Sequence, residues 1–185
     1  MSTIPDQPVT LKDGRAALIR TGRPSDSSAC VRFMEHVLAE SDHLLLEPGE
    51  FEMTVEQERA WLKERLDGFA KLVIVAEAGG EVIAICNFEG NDKRKRISHT
   101  GVLGISIRKA WRNAGLGRAI LQTLIGWATA HPAIERLSLT VFAGNPHAIE
   151  LYKSFGFTEE ARLPRSIKLA PGRYADELIM ARWVK

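Results

Sequence analysis

The sequence contains little cysteine and no long apolar run. Its 185 residues include two cysteines, Cys30 and Cys86, which form no Cys-x-x-Cys pair. This usage favours reduced, structural thiols over a disulfide framework or a zinc site. No apolar run approaches the roughly 18 residues of a membrane-spanning helix, and residues 1–14 have neither a basic start nor an apolar core. We therefore expect a cytoplasmic protein without a membrane segment.

An excess of charge of one sign is also missing. The 25 Lys and Arg residues nearly balance the 23 Asp and Glu residues, so the formal net charge is +2. Such a balance argues against nucleic acid or an anionic membrane as the main partner. A basic run at residues 93–96 could form a nucleic-acid patch, but no aromatic residue interleaves with it. A solvated turn is the simpler interpretation.

Signatures of covalent and metal catalysis are absent as well. There is no Gly-x-Ser-x-Gly motif, and neither cysteine has an obvious histidine partner in the sequence. Metal-ligand spacing is missing among His36, His43, His131 and His147. We therefore predict no metal and no covalent enzyme intermediate.

What the sequence does contain is a strand, a glycine turn and a helix within residues 103–127. Leu103, Ile105 and Ile107 alternate with small or polar residues, which is the period of a half-buried strand. Two glycines then break this period, and from Leu116 the apolar residues recur with helical spacing. The first turn of a helix has unpaired backbone N–H groups and a positive dipole end, so this turn suits an anion such as pyrophosphate.

Three kinds of ligand-binding turn can be compared at this position. A phosphate-binding loop for nucleoside triphosphates needs Lys and then Ser or Thr after its last glycine, whereas Arg118 and Ala119 follow Gly117. A dinucleotide fingerprint needs a third small residue where this chain has Ile120. The pattern that remains is Arg-x-x-Gly-x-Gly, which begins at Arg112.

This six-residue pattern resembles the pyrophosphate signature of the acetyl-coenzyme A-dependent N-acetyltransferases, the GNAT superfamily. A second stretch, residues 145–157, reads NPHAIELYKSFGF. It resembles the second signature of that superfamily, in the branch that holds ribosomal-protein N-terminal acetyltransferases and small-amine acetyltransferases. A helix and a strand separate the two stretches, as that fold requires.

The resemblance implies an α/β (α+β) fold with a mixed, mostly antiparallel sheet of six or seven strands, flanked by helices, whose central strands splay apart. Residues 1–14 read as a flexible leader and residues 15–185 as a single N-acetyltransferase domain. Local patterns predict strands at residues 15–20, 72–77, 82–88, 97–107, 137–142 and 176–183, and helices at residues 27–39 and 54–66. GNAT relatives often pair through their last strands, so we expect a homodimer.

The same resemblance implies acetyl-coenzyme A as co-substrate. The residues implied to bind it are Ile105, Ser106, Ile107, Arg112, Asn113, Ala114, Gly115, Leu116, Gly117, Arg118, Asn145 and Tyr152. Ile105 and Ile107 would offer backbone groups to the pantetheine amides, while their side chains pack in the core. Asn145 is almost as well explained as a turn residue ahead of Pro146.

Acyl transfer to an amine sets two chemical requirements. A primary amine has a reference pKa near ~10.4 and must lose a proton before it can attack a thioester. The departing thiolate, from a thiol with a reference pKa near ~8.5, leaves more readily when an acid protonates it. The resemblance implies Tyr152 as this acid, and its alternative role is that of a core aromatic side chain.

The general base is where the sequence departs from the better-marked GNAT members, which carry a carboxylate on the central strand ahead of the pyrophosphate turn. Residues 97–104 contain no carboxylate. Histidine titrates in a suitable range, which makes His99 a candidate, and Glu89 should lie near it across a hairpin. A structural role for His99 stays open, as does Glu47 or a water chain as the base.

The loop at residues 44–51 would wall the acceptor site in a GNAT fold, and a packing role explains it about equally well. Its candidate acceptor contacts are Leu46, Glu47 and Glu50. Leucines mixed with acids suit a cationic amine with an apolar body, either a small molecule or a protein N-terminus. Two other functions stay open, namely a coenzyme A sensor without turnover and a ribosome- or nucleic-acid-associated factor that works through residues 93–96.

Overall fold

Eight strands and four α-helices make up the part of the chain that the computed structural model describes, residues 2–91 and 93–185. The strands are β1 (Gln7–Thr10), β2 (Ala16–Thr21), β3 (Lys71–Ala78), β4 (Glu81–Gly90), β5 (Thr100–Ile107), β6 (Arg136–Phe142), β7 (Thr158–Ala170) and β8 (Arg173–Trp183). The helices are α1 (Ser27–Ala39), α2 (Val55–Asp67), α3 (Leu116–Ala130) and α4 (Pro146–Ser154).

All eight strands belong to one sheet, in the order β1-β2-β3-β4-β5-β6-β8-β7. The β5–β6 pair is parallel, and the six other neighbouring pairs are antiparallel. The predicted mixed, mostly antiparallel sheet is therefore confirmed. It has eight strands rather than six or seven because the N-terminal segment adds β1.

Residues 7–10 correct the prediction of a flexible leader. They pair with β2, with Gln7 opposite Ile19, and ahead of them the Ile4 N–H donates to Thr21 Oγ1 at 2.9 Å. The segment is short and contains Pro8, which weakens a strand signal in the sequence. Proline is nevertheless compatible with an edge strand, because its missing N–H can lie on the unpaired side.

The central strands splay apart, as predicted. β5 and β6 pair only where residues 100–102 lie opposite residues 136–138. Beyond Val102 each strand keeps its outer neighbour, since β5 stays paired with β4 as far as Ile107 and β6 stays paired with β8 as far as Phe142. The gap between the two diverging strands is a cleft in the middle of the sheet.

The sheet has an apolar core on each face. One core contains Leu121 and Leu124 of α3 together with Phe88 of β4. The other contains Phe33 of α1 and Leu62 of α2. Because successive side chains of a strand point to opposite faces, the membership of a residue in one core fixes the direction of its neighbours.

Local signals placed several element boundaries correctly. α1 covers the predicted residues 27–39, and the predicted capping box opens α2, with Thr54 and Gln57 each accepting a hydrogen bond from the other's backbone N–H. The strand expected from Ile97 begins instead at Thr100, because residues 95–97 form a 3-10 turn. The basic run at residues 93–96, predicted to be a solvated turn, is exposed and directly follows residue 92, which lies outside the described residues. No helix in the described ranges is long and apolar enough to cross a membrane.

Candidate active site

The turn that leads into α3 presents backbone N–H groups rather than side chains. Asn113 and Gly115 have positive φ values of 61° and 92°, which turn the chain sharply before the helix begins at Leu116. Within the described residues, the backbone N–H groups of residues 113–118 donate no hydrogen bond, and the first helical bond runs from Ala119 N–H to Gly115 O at 3.1 Å. These unpaired donors form a cradle at the positive end of the helix dipole.

Gly117, in the first turn of α3, packs closely against neighbouring side chains below the cradle. A Cβ atom at this position would lie 3.2 Å from Ile107 Cδ1 and 3.2 Å from Leu151 Cδ2. Both distances are tighter than ordinary contacts, so the ends of these two side chains would have to move by a few tenths of an ångström to admit a Cβ atom. A diphosphate could therefore approach the backbone closely, as the donor set requires.

Two arginines flank the cradle and line the cleft. Arg112 donates from Nε to the Ile107 carbonyl oxygen at 2.9 Å. Arg118 is exposed and donates from Nη2 to Ser154 Oγ at 3.1 Å. Lys12 also lines the cleft and comes from the segment that the sequence suggested was loose, so sequence reasoning missed it.

Two of the predicted coenzyme contacts point elsewhere. The side chains of Ala114 and Leu116 are 6% and 0% exposed and belong to the core beneath α3. The Ala114 carbonyl oxygen accepts a hydrogen bond from Lys12 N–H at 2.9 Å. The backbone of this turn can still contribute N–H groups, but neither side chain reaches the cleft.

The remaining predicted coenzyme contacts are brought together along one cleft of about 1080 Å³ between β5 and β6. Its walls include Ile105, Ser106, Ile107, Arg112, Asn113, Gly115, Gly117, Arg118, Asn145 and Tyr152. Beyond Val102, β5 has no strand partner on its β6 side. Alternate N–H and C=O groups of residues 103–107 therefore point into the cleft.

Tyr152 lies in the cleft wall with its ring buried. The residue is 6% exposed, and its ring centroid is 5.9 Å from that of Phe157. Its hydroxyl has no hydrogen-bond partner within residues 2–91 and 93–185. Burial, with a smaller contribution from Cys86, raises the pKa of Tyr152 above its ordinary value. The hydroxyl therefore keeps its proton at neutral pH and can act as a donor.

Asn145 combines the two roles considered for it. Its Oδ1 accepts a hydrogen bond from Ala148 N–H at 3.2 Å, which caps α4. The residue also lines the cleft. Its side-chain oxygen is thus used by the protein, and its amide NH₂ group is the part that remains for a ligand.

The structure corrects the assignment of His99 and Glu89 as candidate bases. His99 precedes the paired end of β5, before the cleft opens, and its ring stacks on Trp183 with centroids 6.2 Å apart. The Glu89 carboxylate is bound by Lys71 at 2.8 Å and Arg65 at 3.0 Å. Neither residue lines the cleft. Sequence patterns could not reveal this, because the start of the splay depends on the register between distant strands.

The prediction for the loop at residues 44–51, here called the acceptor loop, is corrected in part. Leu44, Leu45 and Leu46 line the cleft, as expected for Leu46, but Glu47 and Glu50 do not. Both glutamates are exposed, and the Glu50 carboxylate accepts a hydrogen bond from Glu47 N–H at 2.8 Å. The leucines of this loop face the cleft, while its acids cap a turn on the outside.

A histidine attaches this loop to the opposite wall. His43 Nε2 lies 3.1 Å from the Gly144 carbonyl oxygen, and its ring centroid is 6.0 Å from that of Phe142. Nε2 must carry a proton to donate to a carbonyl group. The loop therefore reaches across the mouth of the cleft to the turn between β6 and α4.

Sequence reasoning also missed Glu177, a half-buried residue of β8 that lines the cleft. It lies opposite Phe142 in the β6–β8 ladder. Its place in the cleft follows from the pairing of β8 with β6, which no local pattern around Glu177 reveals.

Neither cysteine lines the cleft. Both are free and buried. Burial raises the pKa of the Cys30 thiol to about 12 and also raises that of Cys86. Neither thiol is therefore available as a thiolate nucleophile, which fits the structural role expected from the sequence.

A family model described as the Acetyltransferase (GNAT) family matches residues 37–157 of the chain. The chain belongs to the GNAT acetyltransferase family. It is therefore an acyltransferase enzyme, and the family predicted from the two sequence signatures is confirmed.

Individual GNAT relatives agree with this assignment. The chain is 31% identical over 109 residues to the L-amino acid N-acetyltransferase AaaT of Escherichia coli K12, covering 59% of this chain and 66%, just under two thirds, of that protein. The crystal structure of a GNAT acetyltransferase from Streptococcus pneumoniae is similar with a TM-score of 0.87 and 31% identity, over 91% of this chain and 99% of that one. The yncA acetyltransferase of Salmonella typhimurium, solved with acetyl-CoA, shares the fold, with a TM-score of 0.78, 22% identity and coverage of 90% and 93%.

Proposed function

We propose that this GNAT enzyme transfers the acetyl group of acetyl-coenzyme A to a primary amine by direct attack of the amine on the thioester. The observation that carries the proposal is the row of unpaired backbone N–H groups at residues 113–118. This row lines one end of the cleft that contains Tyr152. A pyrophosphate on these amides would leave the attached thioester arm free to follow the gap between β5 and β6.

The fit of the coenzyme rests on three features of this chain. The cradle offers several N–H donors at a helix N-terminus, which is a known anion site. Arg112, Arg118 and Lys12 supply positive charge beside it. The unpaired edge of β5 offers backbone groups with the alternation that the amides of a pantetheine arm can match.

Tyr152 is proposed as the acid of the reaction. Acetyl-coenzyme A supplies the acetyl group as a thioester whose leaving group is a thiolate. The Tyr152 hydroxyl remains protonated because burial raises its pKa, and no described residue competes for its proton. It can donate that proton to the sulfur as the thiolate departs.

The relatives support the reaction type more than the acceptor. The E. coli relative is named an L-amino acid N-acetyltransferase, and the S. typhimurium relative was solved with acetyl-CoA. A further relative from Brucella melitensis, 25% identical, is named a ribosomal-protein-alanine N-acetyltransferase. All three names are compatible with an amine acceptor, and we extend only that common element to this enzyme.

We further propose that residues 15–185, together with the strand β1 that completes their sheet, act as one acetyltransferase domain in the cytoplasm, where acetyl-coenzyme A is available. We also propose a homodimer that forms through the last strands. β7 is an edge strand, and Leu163 and Leu169 on it are 40% and 41% exposed. These two leucines interrupt an otherwise charged edge strand, and they are the apolar side chains that a second copy would cover.

The deciding experiment combines calorimetry with thiol detection. Coenzyme A should bind the purified enzyme, and acetyl-coenzyme A should release free thiol when amines or peptides are added. Binding without thiol release across the whole panel would indicate a coenzyme sensor and contradict the proposed reaction. Absence of coenzyme binding would contradict the proposal at its first step.

A further inference from the structure

Glu177 lies on the same side of the sheet as the acceptor loop. Its neighbour Leu178 belongs to the core beneath α3 and α4, so Glu177 projects from the other face. Residues directly opposite in an antiparallel pair share a face, and Glu177 is opposite Phe142. The Phe142 ring in turn lies beside His43 of the loop. Glu177 therefore faces the chamber bounded by α1 and the loop at residues 41–46.

The Glu177 carboxylate has no protein partner. It forms neither an ion pair nor a hydrogen bond with any residue in the described ranges, although it is half-buried. The adjacent Asp176 differs in this respect, since it accepts a hydrogen bond from Arg165 N–H at 2.9 Å and lies 3.5 Å from Arg162 Nε. A partly buried carboxylate without a partner is costly, and a cationic ligand would remove that cost.

The lysine and arginine side chains that line the cleft are all at its other end. They are Lys12, Arg112 and Arg118, and the position of a Cβ on Gly115 would be 3.5 Å from Lys12 Cγ. Among the described residues, no lysine or arginine lines the acceptor chamber. An acceptor carboxylate would therefore meet the charge of Glu177 without a counter-ion.

The chamber wall combines large apolar side chains with the polar residues Ser41, His43, Asn87 and Thr140. Leu45 and Leu46 are 67% and 43% exposed and line the cleft, and Met34 of α1 lines it as well. Large apolar side chains exposed in a cleft favour a ligand with an apolar body. The chamber thus offers the carboxylate of Glu177, polar groups and an apolar surface.

We propose that Glu177 binds and deprotonates the acceptor ammonium, and that the acceptor is a cationic amine with an apolar body and no carboxylate beside its nitrogen. This inference rests on the acetyltransferase function proposed above. It separates the enzyme from its E. coli relative, whose named L-amino acid substrates carry such a carboxylate.

The protons of the reaction balance with these two residues. Glu177 accepts one proton from the ammonium, which frees the nitrogen lone pair to form the C–N bond. Tyr152 gives its proton to the sulfur as the C–S bond breaks. Tyr152 regains a proton from the attacking nitrogen, which keeps one hydrogen in the amide product. Glu177 finally loses its proton to solvent, so one proton is released in each turnover.

The substrate class can be tested on the unaltered enzyme with tyramine, tyrosinamide and tyrosine. These compounds share an apolar ring, and only tyrosine has a negative charge beside its amine. We expect kcat/KM for tyramine and for tyrosinamide to exceed that for tyrosine by at least about ten-fold, because the carboxylates repel each other. Equal or faster acetylation of tyrosine would overturn the proposed substrate class.

The role of Glu177 can be tested by Glu177→Gln, with Glu159→Gln on the exposed strand β7 as the matched control. We expect kcat/KM for tyramine to fall by about 100-fold or more in Glu177→Gln, with coenzyme A affinity unchanged. The residual rate should rise with pH in step with the free-amine fraction, since solvent must then remove the proton. Equal kcat/KM in the two variants would overturn the role.

Two further measurements keep the outcomes separate. Glu177→Asp keeps the negative charge but moves it back by one methylene group, so this variant should retain more activity than Glu177→Gln. If Glu177→Gln does not fold, the Asp variant still tests the role, because activity equal to wild type in Glu177→Asp would overturn it. Thiol release with tyrosine but not with tyramine would contradict this inference and leave the acetyltransferase function intact. Failure of coenzyme A to bind would contradict the function itself.

Discussion

The Arg112 side chain donates from Nε to the carbonyl oxygen of Ile107 at 2.9 Å. This hydrogen bond joins the turn of unpaired N–H groups to the last residue of β5, so the cradle and the unpaired strand edge are held in one fixed relation. A ligand that binds to both the cradle and the strand edge must span the distance between them, which this hydrogen bond fixes. The bond also orients the guanidinium and leaves its Nη groups for the diphosphate that we propose binds here.

Arg112 should therefore contribute more to coenzyme affinity than its charge alone. We expect Arg112→Ala to weaken coenzyme A binding by about 10- to 100-fold, as is typical for the loss of a charged hydrogen bond, and Arg112→Lys to restore only part of it. Calorimetry with coenzyme A measures both, and the exposed Arg94→Ala serves as control. Wild-type affinity in Arg112→Lys would show that the bond to Ile107 is dispensable.

Two glycines of α3 allow a comparison of ligand access with helix stability. A Cβ on Gly117 would lie 3.2 Å from Ile107 Cδ1, whereas a Cβ on Gly126 would meet nothing within 4 Å. We expect Gly117→Ala to weaken coenzyme A binding, because the new methyl group disturbs the side chains packed below the cradle. Gly126→Ala should leave binding unchanged and raise the free energy of unfolding by up to about 1 kcal/mol, the gain in helix propensity. Similar affinities of the two variants would contradict the tight approach at Gly117.

Tyr152→Phe should separate binding from catalysis. The ring contact with Phe157 is kept and only the hydroxyl is lost, so the fold and the coenzyme affinity should not change. We expect kcat to fall by roughly 100-fold, the usual contribution of a general acid. Because burial raises the pKa of Tyr152, the wild-type rate should decline only above pH ~10. An unchanged kcat in Tyr152→Phe would exclude this acid.

A buried carboxylate on α2 should make stability depend on pH. Glu58 is 6% exposed, and burial raises its pKa above the ordinary value. The folded state therefore holds the proton more tightly than the unfolded chain. The stability that Glu58 contributes is full below its unfolded pKa and is lost as the pH rises through the folded pKa.

Glu58→Gln removes this dependence because glutamine stays neutral. We expect the variant to have a higher free energy of unfolding than wild type at pH 7, by on the order of 1 kcal/mol, and no such gain near pH 4. Urea unfolding at the two pH values measures the difference, and the exposed Glu56→Gln on the same helix is the control. A gain of equal size at both pH values would point to packing rather than titration.

Much of the fold could be predicted because its signals are local. The alternation before Arg112 and the helical spacing after Leu116 give β5 and α3, and Thr54 with Gln57 marks the start of α2. The strand at residues 7–10 could not be predicted in this way, because it is short and its place in the sheet depends on β2.

The same distinction applies to the site. The coenzyme cradle lies within a few consecutive residues, so its pattern is visible in the sequence. The acceptor chamber brings together a loop after α1 and a strand near the C-terminus, and its outline depends on where β5 and β6 part. His99 and Glu89 are close in sequence to residues that line the cleft, but they lie at the end where β5 and β6 are still paired. Glu177 is remote in sequence from the other candidates and lies within the cleft.

The parting of β5 and β6 has a mechanical consequence. In the sheet, strands β1–β5 and strands β6–β8 are joined by three residue pairs, and elsewhere the two groups of strands are connected through the apolar core beneath α3. A molecule that occupies the gap touches both groups and adds a further connection. Saturation with coenzyme should therefore slow amide exchange most along residues 103–107 and 139–142, where the free enzyme leaves each group without a neighbour.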